Sequence, residues 1–271
     1  MSRATHSRIA AAMTFLTLLF LSVPLVIVVL FSFHATTSLT LPFTGFSLRW
    51  YENTLTSPTF LDAMRNSLVV AVSVATITFS LGTPAAYALS RFRSRWRGPI
   101  LLLFFLPIAI PGLFVGTALL VWYDFLGLTL SLLTITIAHV VFVFPYFLLL
   151  AYQAFSRLQP GLEQVAADLG AGPWATFRRV VFPQVAPVLL GAVILCFSLS
   201  FDEFIITFFV AGGGSTVPLF IWSSLRRIID PTINTVATLL LTITLGGWLT
   251  AFLANFFVQR RRSSSPEVIL T

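Results

Sequence analysis

Lysine is absent from this chain of 271 residues, and all 16 basic residues are arginine. A phosphate-cradling Gly-x4-Gly-Lys-Ser/Thr loop therefore cannot form, which removes that kind of ATP site from the chain. Charge of either sign is scarce: 9% of residues are charged against 57% hydrophobic, with 28 Phe. That balance excludes a soluble globule and places the chain in a bilayer. Cysteine is almost missing as well. Cys196 stands alone inside an apolar run, so it forms no intramolecular disulfide and reads as a small buried hydrophobe.

Long apolar runs fill the space left by charge. Six reach the roughly 20 residues a helix needs to cross hydrocarbon: Ile9–Phe33, Ser67–Leu89, Pro99–Tyr123, Leu130–Tyr152, Pro187–Val210 and Ile233–Val258. The first follows Arg3 and Arg8 as a signal sequence would. Its apolar run is longer than the roughly 7 to 15 residues of a signal core, so it reads as a retained helix. Orientation follows from arginine. A cytosolic N-terminus puts Arg3, Arg8, Arg91, Arg93, Arg95, Arg97, Arg157, Arg178, Arg179 and Arg260 to Arg262 inside, leaving only Arg49, Arg65, Arg226 and Arg227 outside. This positive-inside bias predicts that both termini are cytosolic. The net charge of +7 is then an orientation signal and calls for no nucleic acid. Residues 1–262 read as one transmembrane domain, and 263–271 as a flexible tail.

The polar interlude Leu162 to Pro183, within the loop 153–183, interrupts this pattern. Pro160 suits the first position of a helix and Gly170 the left-handed residue that ends one. Between them Leu162, Val165, Ala166 and Leu169 form one apolar stripe, and Glu163 puts negative charge near the helix's positive end. Pro173 opens a second helix, with Trp174, Phe177 and Val181 on one face and Arg178 and Arg179 in its last turn. The spacing predicts two short amphipathic helices hinged at Gly170 to Gly172.

The same stretch resembles the coupling loop of ATP-binding-cassette importer permeases, whose pattern is Glu-Ala-Ala-x3-Gly-x9-Ile-x-Leu-Pro. Here that register falls on Gln164, Val165, Ala166, Gly170, Val180, Phe182 and Pro183, with Glu163, Asp168 and Leu169 fitting the surroundings. Gln164 and Val165 depart from the motif's Glu and Ala, which leaves Glu163 or Asp168 to supply the motif's carboxylate. Phe46-Ser47-Leu48-Arg49-Trp50-Tyr51, Asn66-Ser67-Leu68, the stretch Leu81 to Arg91 and Ser200-Phe201-Asp202-Glu203-Phe204 resemble the spermidine/putrescine branch of that family. The resemblance implies an all-α type I importer permease with six transmembrane helices in the inner membrane. It also implies a second permease, identical or paralogous, two cytosolic ATPase subunits holding ATP and Mg, and an external solute-binding protein. The chain itself would carry no cofactor and hydrolyse nothing. Glu163, Gln164, Ala166, Asp168, Leu169, Gly170, Pro173 and Pro183 would form the ATPase-coupling site.

Pathway candidates come from residues that an apolar span tolerates poorly. Asp202 and Glu203 lie late in the fifth run, where a carboxylate should face protein or water. Pro107 and Pro111, with Gly112 and Gly116, interrupt the third run near its middle, and Pro84 and Pro145 the second and fourth. Tyr123 and Asp124 end the third run as gate candidates beside Trp122. His139 in the fourth run reads as an interhelical hydrogen-bonding residue. Pro218 opens a short external helix carrying Leu219, Trp222 and Ile229. The cargo expected is a polyamine or another small organic cation, with phosphonate, iron or another small solute as alternatives. A secondary transporter would favour more spans, repeated halves and ion-coupling residues at mid-membrane. A membrane scaffold would not need the hinged helices.

Overall fold

The computed structural model describes residues 3–37, 40, 42–159, 161–227 and 230–246. Among them the architecture is helical, with a single isolated bridge between His34 and Phe46. In chain order the helices are α1 (Arg3–Ser32), α2 (Arg49–Thr56), α3 (Pro58–Arg91), α4 (Arg97–Ala109), α5 (Gly112–Phe125), α6 (Leu132–Ser156), α7 (Leu162–Asp168), α8 (Pro173–Thr176), α9 (Phe182–Phe201), α10 (Ile205–Val210) and α11 (Val217–Arg227). A final helix, α12, covers Thr232–Gly246. The expected run Ile233–Val258 is thus helical over its described part; its remainder, Pro160, Ile229, Arg260 to Arg262 and the tail lie outside the described residues.

Two compact units divide the chain, one of Pro58–Trp222 and one of Met1–Ser57 with Ser223–Thr271. In the second unit, α1 is long and apolar enough to cross a membrane and turns Met13, Leu16, Phe20 and Val26 outward, as lipid contact requires. The loop after it is stitched by backbone bonds from Ala35 to Gly45 and from Ser47 to Phe33. Trp50 of α2 donates its indole N–H to the His34 carbonyl at 2.8 Å, which leaves its ring buried without an unmet donor.

The larger unit is organised around α3, α6 and α9, each long and apolar enough to span a bilayer. Val70, Val74 and Ala86 of α3 meet Val143, Phe147, Leu148, Ala151 and Phe155 of α6 and Val185, Leu189, Ala192 and Cys196 of α9 in one buried cluster. At 34 residues α3 is about 51 Å long, well beyond a hydrocarbon core of about 30 Å. Its ends therefore reach past the hydrocarbon core. A hydroxyl in an apolar helix needs a local acceptor, and Thr76, Thr78 and Thr136 each find the carbonyl four residues back.

The interruption expected near the middle of the third run is present, and three other expectations about helix continuity are revised. The third run is two helices, α4 and α5, bent by 101°. Ile110 is extended (φ −89°, ψ 123°) because Pro111 excludes a helical conformation at the residue before it. Pro84 and Pro145, by contrast, lie inside continuous helices, so they interrupt nothing. The fifth run ends its helix at Phe201 and restarts at Ile205. It also begins earlier: a π turn over Phe177–Val181 joins α8 to α9, so the second short helix expected at Pro173 is the start of a 29-residue one. The widened turn relieves the clash that the Pro183 ring would make with a carbonyl four residues earlier.

Close approach of α3 and α6 depends on Gly82. A Cβ built there would collide with the Phe147 ring, which is itself fully buried. Gly82→Ala is expected to cost about 1–3 kcal/mol through overpacking, read as a lower unfolding temperature of the purified complex. Gly191→Ala, where nothing lies within 4 Å of the added atom, should leave that temperature unchanged or raise it.

Candidate functional site

The segment after α6 is punctuated as glycine and proline dictate. Gly161 adopts φ +98° and caps α7, two residues later than a start at Pro160. At the other end Gly170 adopts φ +82°; its N–H bonds the Ala167 carbonyl and the Ala171 N–H bonds the Ala166 carbonyl. This pair of bonds satisfies the last carbonyls of α7 and turns the chain sharply. A Cβ at Gly170 would meet nothing within 4 Å, so its left-handed conformation alone demands glycine. Gly172 then caps α8, with Pro173 in its first turn.

Glu163 is where this segment grips the bundle. Its Oε2 accepts a hydrogen bond from the Tyr87 hydroxyl at 2.9 Å, and its Oε1 accepts one from Arg91 Nε at 2.9 Å. Arg91 Nη2 pairs with the same Oε1. The remaining guanidinium nitrogen, Nη1, donates to the Phe155 carbonyl at 3.1 Å, near the negative end of α6. One arginine at the end of α3 therefore ties α7 to α3 and α6 together. Desolvation pushes the Glu163 carboxyl upward, but the hydrogen bonds from Arg91 and Tyr87 and the arginine's charge outweigh it, so its pKa lies below the ordinary value.

Aromatic packing completes the grip. Tyr87 meets Phe155 and Phe177 edge-on at 5.4 and 5.2 Å, and Trp174 stacks on Phe177 at 5.9 Å. The predicted apolar stripe of α7 is split between two directions. Ala166 is buried and Leu162 half-buried, whereas Val165 (58% exposed), Leu169 (83%) and, beyond the hinge, Trp174 (71%) project outward. Gln164, Asp168 and Pro183 are also exposed.

The pathway candidates fall in two places. Asp202 and Glu203 sit in the break between α9 and α10, a correction to their expected place within one helix. The two carboxylates have separate surroundings. Asp202 is exposed at the end of α9, while Glu203 Oε1 accepts the Ile206 N–H at 2.9 Å and so caps α10. The break is held by His139. Thr207 donates its hydroxyl to the Glu203 carbonyl at 2.7 Å, so its oxygen accepts from His139 Nε2–H at 2.8 Å, and His139 Nδ1 accepts from Ser200 at 2.9 Å. This order assigns the neutral Nε2–H tautomer. Sequence reasoning placed His139 between helices but not at this break.

At the second break, Pro107 is half-buried within α4 and Pro111 is exposed at the bend. Tyr123 is fully buried and donates to the Thr134 carbonyl at 3.0 Å, so it fastens α5 to α6; Asp124 beside it is exposed. Gly116 lets α5 lie against α10. A Cβ there would come within 3.0 Å of Phe209 and 3.2 Å of the Ile206 backbone.

Comparison with known proteins agrees with this architecture. Residues 78–263 match the family described as binding-protein-dependent transport system inner membrane component. The chain is 34% identical over 231 residues to the putrescine transport system permease protein PotI of Escherichia coli K12, covering 82% of each. It is 28% identical over 227 residues to the spermidine/putrescine transport system permease protein PotC of the same strain, covering 83% of this chain and 86% of that one. A bacterial ABC transporter involved in import of the acidic polysaccharide alginate shares the fold at a TM-score of 0.68 and 17% identity, over 95% of this chain and 99% of that one. The MetNI methionine ABC transporter does so at 0.60 and 18%, over 74% and 95%. With a family match across most of its length and the fold of ABC importer permeases, the chain belongs to the binding-protein-dependent inner membrane components: it is a multi-pass permease of the bacterial inner membrane, a transporter component and not an enzyme.

Proposed function

We propose that this permease moves a polyamine, putrescine or spermidine, and receives the work of ATP hydrolysis through Leu162 to Pro183. Its N-terminus and coupling segment face the cytosol, as the arginine distribution favours. ATP and Mg bind two cytosolic ATPase subunits, a solute-binding protein delivers cargo from outside, and a second, paralogous permease completes the pathway. The docking reading is carried by one observation: Val165, Leu169 and Trp174 stand exposed on a segment whose other side is bound through Glu163 to α3 and α6. A groove on a soluble partner would cover these apolar side chains. Closure of the ATPase pair would then displace α7, and the Glu163 contacts would carry α3 and α6 with it. Two bundle conformations biased by partner contact suffice for alternating access.

The cargo reading draws on the names of the similar permeases and on the exposed Asp202 carboxylate at a helix break. A carboxylate held between two helices with a free face attracts an ammonium group, while Glu203, engaged as a cap, has a structural duty.

Replacing Leu169 by Glu places charge on the most exposed apolar side chain of the segment. Co-purification of the ATPase subunits should drop by about fivefold or more, as expected for a central apolar contact worth over 1 kcal/mol; unchanged recovery would contradict docking there. The Glu163 contacts have a pH signature. Because the folded pKa is depressed, their contribution is complete above the reference value of 4.5 and disappears as pH falls below it through the lower folded value. Transport-coupled ATP turnover in proteoliposomes should therefore hold to the bottom of the carboxylate range before falling, and Glu163→Gln should lower coupling at neutral pH. Asp202→Asn should raise the KM for putrescine uptake by roughly 2- to 5-fold, the loss of one exposed charge contact, with basal ATP turnover unchanged. An unaltered KM would remove Asp202 from the route.

A further inference from the structure

A polar cleft of about 430 Å³ opens where α3 ends, α4 begins and α6 gives way to α7. Ser90, Arg91, Arg93, Arg97, Gln159 and Gln164 supply its polar lining, and Glu163 is its one acid. Both Glu163 oxygens are engaged by Tyr87 and Arg91, so its charge is answered within the coupling contacts. Arg93 and Arg97 therefore leave the cleft cationic. Gln164, at the position where the resembling motif carries Glu, adds no negative charge.

The cations are not simply scattered over a surface. Arg97 is held in place by the Tyr152 hydroxyl, with its guanidinium 5.2 Å above that ring, so its planar fork is oriented beforehand. The same residue opens α4, whose N-terminus has no side-chain cap and no acid in its first turn. That end of the helix dipole adds positive potential. The cleft also lies at the ends of membrane-crossing helices, which is the level of lipid headgroups.

We infer that this cleft is a binding site for a phosphate-bearing anion, and that its occupant is the headgroup of an acidic phospholipid. Guanidinium forks and a helix N-terminus match phosphodiester oxygens, and a place at the ends of membrane-crossing helices suits a lipid headgroup. The site shares Glu163 and Gln164 with the coupling segment but uses neither Asp202 nor the exposed Val165, Leu169 and Trp174.

The test uses the whole importer, reconstituted in equal phosphatidylglycerol and phosphatidylcholine, extracted in neutral detergent and analysed for retained lipid by mass spectrometry. The wild type should retain phosphatidylglycerol in preference to phosphatidylcholine. Arg93→Gln, an exposed substitution, should lower that preference roughly fivefold, and adding Arg97→Gln should lower it about fivefold again, at the affinity expected per basic residue near a membrane surface. Arg95→Gln, outside the cleft, should change nothing. Equal retention of the two lipids, or an unchanged preference in Arg93→Gln, would overturn the proposal. So would displacement of the lipid by millimolar inorganic phosphate, which would identify a soluble anion as the ligand.

Discussion

The bond between Glu163 and Arg91 is the constraint on which the working parts of this permease depend. Without it α7 would keep the Tyr87 hydrogen bond and the packing of Ala166 and Leu162 but lose its link to α6 through the Phe155 carbonyl. Arg91 makes the contact mechanical because the same guanidinium also holds the end of α6. It lies outside the apolar core but is fastened to it: Tyr87, its neighbour one helical turn earlier, packs on the buried Phe155. The length of α3 is what delivers both residues beyond the hydrocarbon core to meet Glu163.

Against that continuity stand two breaks, at Ile110–Pro111 and at Asp202–Phe204. Both are supported where a bare break in a membrane would leave backbone groups unpaired. At the first, the Ile110 N–H bonds the Pro107 carbonyl and the Phe114 and Val115 N–H groups bond the Pro111 carbonyl, while Gly116 seats α5 on α10. At the second, Glu203, Thr207, Ser200 and His139 satisfy one another and the adjacent backbone. The result is a stiff three-helix core of α3, α6 and α9 that carries irregular elements on one side and a protruding segment at its end.

How much of this the sequence discloses depends on whether the cause is local. Gly170, Gly172 and Pro173 act through their own backbone preferences, and the hinge they predict is the one observed. Pro111 with Ile110 and Gly112 is legible for the same reason, although a 101° bend depends on the packing of α5 against α10 and cannot be read from them. The break after Phe201 is concealed because apolar residues resume at Ile205, and a hydropathy reading runs straight through. Pro84 and Pro145 mislead in the opposite sense, since α3 and α6 run on through them. The partner of Glu163 lies more than seventy positions away. Its only local trace is Tyr87 and Arg91, four residues apart and hence on one face of a helix end.

On the proposed coupling, α7, α3 and α6 move as one body through Glu163, and the contacts never open during transport. The most direct measurement introduces cysteines at Glu163 and Tyr87, joins them with a short bifunctional thiol reagent, and follows substrate uptake and ATP turnover in proteoliposomes. The account predicts that the uncoupling caused by the two substitutions is reversed when the covalent link is made. Uptake that stays lost, or falls further, in the linked protein would mean that α7 must separate from α3 during the cycle, and would contradict the account.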